Sequence, residues 1–237
     1  MKRKGTFFYL LLSLLFILLA YPTFEKALWA GKLLAIFFTF GLVAGVYAVS
    51  GEHKIKFRIS LFLAIPTILF LWTDQFTPQD RSWSFYLDIV AEAFIVMFTF
   101  YTAVCILLHL MRAKRVTADI LAGAACTYLL FGISWGILYS MIELVVPGSF
   151  IASDHLMPLS SQNWPIFNYY SFSTLTTLGY GDITPVTLRA QSLAILEAVT
   201  GVLFTALLVS RLVGMYLYQL KEENNVNGRE KGIQSDR

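Results

Sequence analysis

Six times along this chain, a polar break gives way to an apolar run close to the length of a bilayer. Spanning the hydrocarbon core takes about 20 apolar residues per helix, with a range of roughly 17–25. Runs of this kind fall at 6–21, 28–50, 56–73, 85–110, 118–146 and 188–219. Only 14% of the 237 residues are charged, against roughly 25% in a soluble domain, so there is too little polar surface to coat such helices in water. The expected fold is an all-α membrane protein with six transmembrane helices in a lipid bilayer.

The first run follows "MKRKG" and has the look of a signal peptide's apolar region. No small-x-small cleavage site follows it, the chain continuing "LLAYPTFEKALWAG", so it is read as a retained first helix. The third run, "SLFLAIPTILFLW", is the weakest: it is short and carries Pro66, which removes a helix hydrogen bond.

The 18 basic residues alternate between loops. Lys2, Arg3, Lys4, Lys54, Lys56, Arg58, Arg112, Lys114, Arg115, Arg211, Lys221, Arg229, Lys231 and Arg237 fall on one side, and Lys26, Lys32, Arg81 and Arg189 on the other. The positive-inside rule then predicts a multi-pass protein of the cell membrane with both termini cytoplasmic. Basic residues so scattered form no nucleic-acid patch. Cys105 and Cys126 sit in apolar helices and read as core residues. His53, His109 and His155 lie in or near loops without the spacing of metal ligands. No enzyme chemistry, cofactor or small-molecule substrate is indicated.

Between the fifth and sixth runs lies the segment "PGSFIASDHLMPLSSQNWPIFNYYSFSTLTTLGYGDITPVTLRAQ". Pro165 suits the first turn of a helix, and "IFNYYSFSTLT" supplies about three turns, enough for roughly half a bilayer. The run "TTLGYGD" follows. An irregular backbone at membrane depth is tolerated only where it is buried or lines a watery cavity, so helix and loop read together as a re-entrant segment. The negative end of the half-helix dipole, near Thr176, favours a cation. Gly179 and Gly181 permit backbone angles that turn successive carbonyls to one side.

"TTLGYGD" is similar to the signature filter of potassium channels, with Leu178 where many members have valine. The likeness runs back through the aromatic pair Tyr169–Tyr170 to Pro165. It runs forward along "ITPVTLRAQSLAILEAVTGVLFTALLVSRLVG", which looks like the inner helix of bacterial members. It covers roughly residues 118–216. The resemblance implies a homotetramer in which the carbonyls of Thr177, Leu178, Gly179 and Tyr180, with the Thr177 hydroxyl and the Gly181 backbone, ring permeant K+. Asp182 takes the outer mouth. Tyr169, Tyr170, Ser173 and Thr176 support the filter from the pore helix, Ser173 standing where some relatives have a glutamate. The Leu178 side chain is expected to pack behind the filter, and the Tyr180 hydroxyl to brace against the pore helix. Gly201, twenty residues after Gly181, takes the place of the family's hinge glycine; close helix packing is the equal alternative. Glu197 is an intramembrane acid with Arg189 as one prospective partner.

The resemblance stops at the pore. The fourth run has no basic residue before His109 and so lacks the arginine ladder of a voltage sensor. Asp88 and Glu92 share one face near its outer end and read as a solvated surface. The chain thus divides into a four-helix N-terminal membrane domain (1–116), a pore domain (117–219) and a short cytoplasmic tail (220–237) expected to be disordered. The function implied is passive, potassium-selective conduction. A weakly selective cation channel of the same architecture and a non-conducting membrane subunit are the alternatives.

Overall fold

The computed structural model describes residues 6–24, 30–49, 54–74, 84–113, 115–152 and 164–235. The helices are α1 (Thr6–Phe24), α2 (Ala30–Val49), α3 (Lys54–Asp74), α4 (Ser84–Arg112), α5 (Ala118–Val145), the short α6 (Trp164–Leu175) and α7 (Leu188–Ser235). The strands β1 (Phe150–Ala152) and β2 (Ile183–Pro185) complete the order. Among the described residues, α3, α4, α5 and α7 are long and apolar enough to cross a membrane. In α1 and α2 the described apolar stretches are shorter, Phe7–Leu19 and Ala35–Tyr47. His53, His155, Lys26, Arg81 and Lys114 lie outside the described residues.

Packing centres on α5. Of its apolar window 72% is buried, against 17% for α7, so α5 is the post on which the other helices lean. Thr117 caps it by accepting the Ile120 amide at 3.3 Å. Asp119, in its first turn, accepts the Phe7 amide at 3.1 Å, one of the donors that a helix start leaves without a partner. The Cys126 thiol donates to the Phe7 carbonyl, and both cysteines are buried and unpaired. One apolar core runs from Phe7, Leu10 and Leu14 of α1, through Ala103, Ile106 and Leu110 of α4, to Leu175 of α6 and Phe204 of α7. The five residues between α4 and α5 are too few to carry the first four helices far from the α5 that follows them.

Pro66 is accommodated inside α3. One residue on, the buried Thr67 hydroxyl donates to the Leu63 carbonyl at 2.8 Å, the i−4 back-bond by which a helix hydroxyl finds a partner.

Three features depart from the expectations. The tail is helical: α7 continues unbroken to Ser235. Extending an existing helix needs no new nucleus, and the tail has no proline to stop it. Glu92 is not a solvated outer residue; it turns toward α5 and accepts the Ser140 hydroxyl at 2.8 Å. Finally, β1 and β2 pair antiparallel, with Phe150 opposite Pro185, Ile151 opposite Thr184 and Ala152 opposite Ile183. The chain leaving α5 is thereby stitched to the chain entering α7.

Glu143, buried near the end of α5, holds that stitch in place by accepting the amides of Gly148 at 2.7 Å and Phe150 at 3.2 Å. Replacing it with alanine strands both donors, at a cost of about 1–3 kcal/mol for a buried group left unsatisfied. Glu143→Ala is expected to lower the thermal unfolding midpoint of the purified protein, and Glu143→Gln, which keeps one acceptor oxygen, to lower it less.

Candidate functional site: a half-helix and its open loop

The half-helix α6 lies in a groove cleared by glycines. A Cβ at Gly132 would strike the Phe172 ring, and one at Gly136 would strike Asn168, backbone included. On the other side, a Cβ at Gly201 would strike the Leu175 carbonyl. With 12 residues, α6 is about 18 Å long, a little over half the hydrocarbon thickness. Its outer flank is an aromatic wedge: Tyr139 of α5, Phe150 of β1, and Phe167 and Tyr170 of α6 meet edge to face at 5.1–5.4 Å.

A helix end leaves four carbonyls without partners, and here the loop that follows supplies some of what they need. The Ser173 carbonyl accepts two amides, from Leu178 at 2.9 Å and Gly179 at 3.1 Å. The Ser173 hydroxyl lies 3.5 Å from the Tyr180 amide, and the Tyr128 hydroxyl of α5 donates to the Leu175 carbonyl at 3.3 Å. The Thr176 hydroxyl turns back to the Phe172 carbonyl at 2.6 Å.

The amides of the loop therefore face the half-helix, and its carbonyls face away. Among the described residues, no hydrogen bond ends on the carbonyl of Thr177, Leu178, Gly179 or Tyr180. Every second residue has a positive φ: Thr177 at 60°, Gly179 at 55° and Gly181 at 77°. Alternation of hand along a backbone turns successive peptide groups to the same side. Glycine does this freely, whereas a β-branched threonine does so at a cost, which is the kind of strain that functional loops retain.

Asp182 ends the loop. Its carboxylate accepts the Tyr169 hydroxyl at 2.6 Å and the Ile183 amide at 3.0 Å. The bond to Asp182 pushes the Tyr169 phenol up to about 12. The Tyr180 ring stacks on Tyr169 with centroids 6.3 Å apart and planes 6° apart, so Tyr180 meets the half-helix through its ring rather than its hydroxyl. Among the described residues, Leu178 and Tyr180 remain 56% and 65% exposed.

Behind the half-helix, Glu197 is fully buried. Its carboxyl meets the hydroxyls of Tyr139, at 2.7 Å, and of Ser171, and not Arg189. The helix α7 passes straight through Gly201, where the structure displays tight packing against Leu175. Ser173 and Tyr170 are buried beside the site, and Thr176 begins the open loop. Tyr128, Tyr139, Glu143 and Ser171 were not singled out by the sequence pattern. Their signal is nonetheless there: each places a polar atom in an apolar helix or half-helix, where it must find a partner.

The similarity to known proteins falls on the same stretch of chain. The ion channel family matches residues 124–218, which take in most of α5, all of α6, the loop and the apolar part of α7. The "Voltage-gated potassium channel Kch" of Escherichia coli (strain K12) is 27% identical over 173 residues, covering 72% of this chain and 36% of that protein. The "Potassium voltage-gated channel subfamily A member 5" of Mus musculus is 34% identical over 77 residues, covering 27% of this chain and 13% of that protein. The chain thus spans about a third of the bacterial relative's length and far less of the mouse one. No solved structure gives a significant match. The similarity is thus to an ion channel family over residues 124–218 and to proteins named as potassium channels at 27–34% identity.

Two glycines of α7 make opposite predictions. Gly201→Ala drives a methyl into a backbone carbonyl that cannot move aside, an overpacking expected to cost about 1–3 kcal/mol. Gly214 has nothing within 4 Å of its notional Cβ, so Gly214→Ala is expected to be neutral or stabilising by up to about 1 kcal/mol. Thermal unfolding of the two variants side by side reads the difference.

Proposed function

We propose that this chain, similar to potassium channels, is itself a potassium-selective ion channel, a homotetramer that conducts K+ passively through four copies of the 177–182 loop. The observation that carries this reading is the run of carbonyls at Thr177, Leu178, Gly179 and Tyr180 that have no partner among the described residues, on a backbone of alternating hand. Four such runs about an axis replace the hydration shell of a dehydrated cation with stacked rings of oxygen. The dipole of α6 points its negative end at the inner side of those rings, and the four Asp182 carboxylates raise the cation concentration at the outer side.

The tetramer follows from what one chain lacks. A single loop offers one oxygen per ring, and closure of identical head-to-tail contacts makes a ring of copies. Leu178, Tyr180 and most of the apolar surface of α7 are exposed on one subunit and gain cover from neighbours. Six spans with both termini cytoplasmic complete the reading, with α1 and α2 crossing alongside the four longer helices and the basic loops inside. The N-terminal helices act as a scaffold on the pore rather than as an arginine-driven voltage sensor.

Potassium flux through the purified chain in liposomes tests this directly. Flux that strongly prefers K+ to Na+ and is blocked by Ba2+ is expected; equal Na+ flux would replace the reading with a weakly selective cation channel, and no flux from a verified tetramer with a non-conducting subunit. The outer mouth adds a pH prediction. The bond from Tyr169 to Asp182 raises the phenol from its ordinary 10.0 to about 12, so its contribution is fully present below pH 10 and is lost as pH rises through 12. Selectivity in the wild-type chain should therefore fall along that alkaline limb, and Tyr169→Phe should show the reduced value at every pH.

A further inference from the structure

Of Glu92, Glu143 and Glu197, Glu197 alone joins three helices at once. One carboxyl oxygen accepts the Tyr139 hydroxyl of α5 at 2.7 Å; the other meets the Ser171 hydroxyl of α6. Ser171 Oγ also lies 2.7 Å from the Gly132 carbonyl of α5. All of Glu197, Tyr139 and Ser171 are fully buried.

Counting protons decides what this cluster is. A hydroxyl has one proton to give. The Gly132 carbonyl can only accept, so its contact takes the Ser171 proton. The contact between Ser171 and Glu197 must then take its proton from the carboxyl. The donors run in sequence from the Glu197 carboxyl to Ser171 and from Ser171 to the Gly132 carbonyl, with Tyr139 closing on the other carboxyl oxygen. A carboxylate would leave one contact as facing lone pairs in a dry interior, which is costly where the dielectric is low.

The surroundings agree. The titratable groups facing Glu197 are phenols: Tyr128 and Tyr139 on α5 and Tyr170 on α6. Glu143, one turn beyond Tyr139, is occupied by the loop amides, and Arg189, earlier on α7, is exposed. No described lysine, arginine or histidine pairs with Glu197.

We propose that Glu197, held as a neutral carboxylic acid, is a positioning residue for ion selectivity. Through Ser171 it fixes α6 against α5 and α7, and so fixes the depth of Ser173, two residues on, whose carbonyl holds the amides of Leu178 and Gly179. This rests on reading the 177–182 loop as the filter.

The test uses the full chain in liposomes. Glutamine reproduces the neutral pattern, its amide donating to Ser171 and its oxygen accepting from Tyr139. Glu197→Gln is therefore expected to keep K+ over Na+ selectivity within about twofold, and Glu197→Leu to lose about tenfold, the scale of one buried polar partner left unmatched. Ser171→Ala and Tyr139→Phe, each removing one bond, are expected to fall between and serve should the leucine variant not fold. Selectivity of the parent chain is expected to decline in alkaline buffer as the carboxyl proton is removed, with Glu197→Gln flatter over the same range. Infrared spectroscopy reads the proton without any flux: the carbonyl stretch of a protonated carboxylic acid is expected in the parent and missing in Glu197→Gln. A difference spectrum without that band overturns the proposal, as does a glutamine variant as unselective as the leucine one, or a leucine variant as selective as the parent. A chain that shows the band but carries no selective flux would instead remove the filter reading.

Discussion

A short helix that stops among packed apolar helices leaves carbonyls without partners, and the described part of this chain is arranged around that constraint. The end of α6 is answered by its own loop and by α5: Ser173 takes two loop amides, Leu175 takes the Tyr128 hydroxyl, and Phe172 takes the Thr176 hydroxyl. Once those amides are spent on the helix end, the loop carbonyls have nowhere to turn but away. The open face of the loop is thus a consequence of capping the half-helix. The same accounting explains the glycines at 132, 136 and 201: α6 can reach the hydroxyls that support it only if the backbones of α5 and α7 come close.

Polar atoms elsewhere in the long helices obey the same rule and mark the joints. Glu92 takes Ser140 and ties α4 to α5; Glu143 takes two amides and ties α5 to β1; Glu197 meets the hydroxyls of Tyr139 and Ser171 and ties α7 to α5 and α6. None of these acids is held by a described cation. Hydroxyl and amide partners are directional and fix register, whereas apolar helix faces in lipid slide against one another with little preference. Apolar burial gathers the helices; these few polar contacts settle how they line up.

The long helices and the loop were legible because their signals are local. Apolar length locates α3, α4, α5 and the start of α7 to within a few residues, and the glycines of "TTLGYGD" announce positive φ at two of the three places where it occurs in that loop. Thr177 was not legible as the third, since nothing in threonine favours that angle and the capping of α6 imposes it. Partners were less legible than positions. Glu197 stands out as an acid in an apolar run, but Tyr139 is 58 residues away and Ser171 is 26 away, and no short spacing joins them. The pairing of β1 with β2 is hidden for the same reason: two three-residue strands carry no periodicity, and they meet only because α5 and α7 bring their ends together. The tail misled in the other direction. Its polar composition reads as disorder in isolation, yet it is attached to a helix that is already formed, and propagation is cheaper than nucleation.

At the end of the molecule away from the loop, a second junction answers the first. Arg211 of α7 donates to the carbonyls of Met111 and Ala113, where α4 ends, at 3.0 and 2.9 Å, and Arg115 pairs with Glu222 at 3.0 Å. The exposed pair between Arg115 and Glu222 contributes little by itself. The Arg211 contacts matter more, because they satisfy carbonyls that the C-terminus of α4 leaves open and place a cation at the negative end of its dipole. Between the two junctions α7 is held mainly by apolar contacts, among them Phe204 and Leu208. Displacing the lower half of α7 below Gly201 therefore has to break the Arg211 contacts or drag the α4–α5 connection with it, while Glu197 keeps the upper half fixed to α6. In this way the end of α4 is mechanically joined to α7.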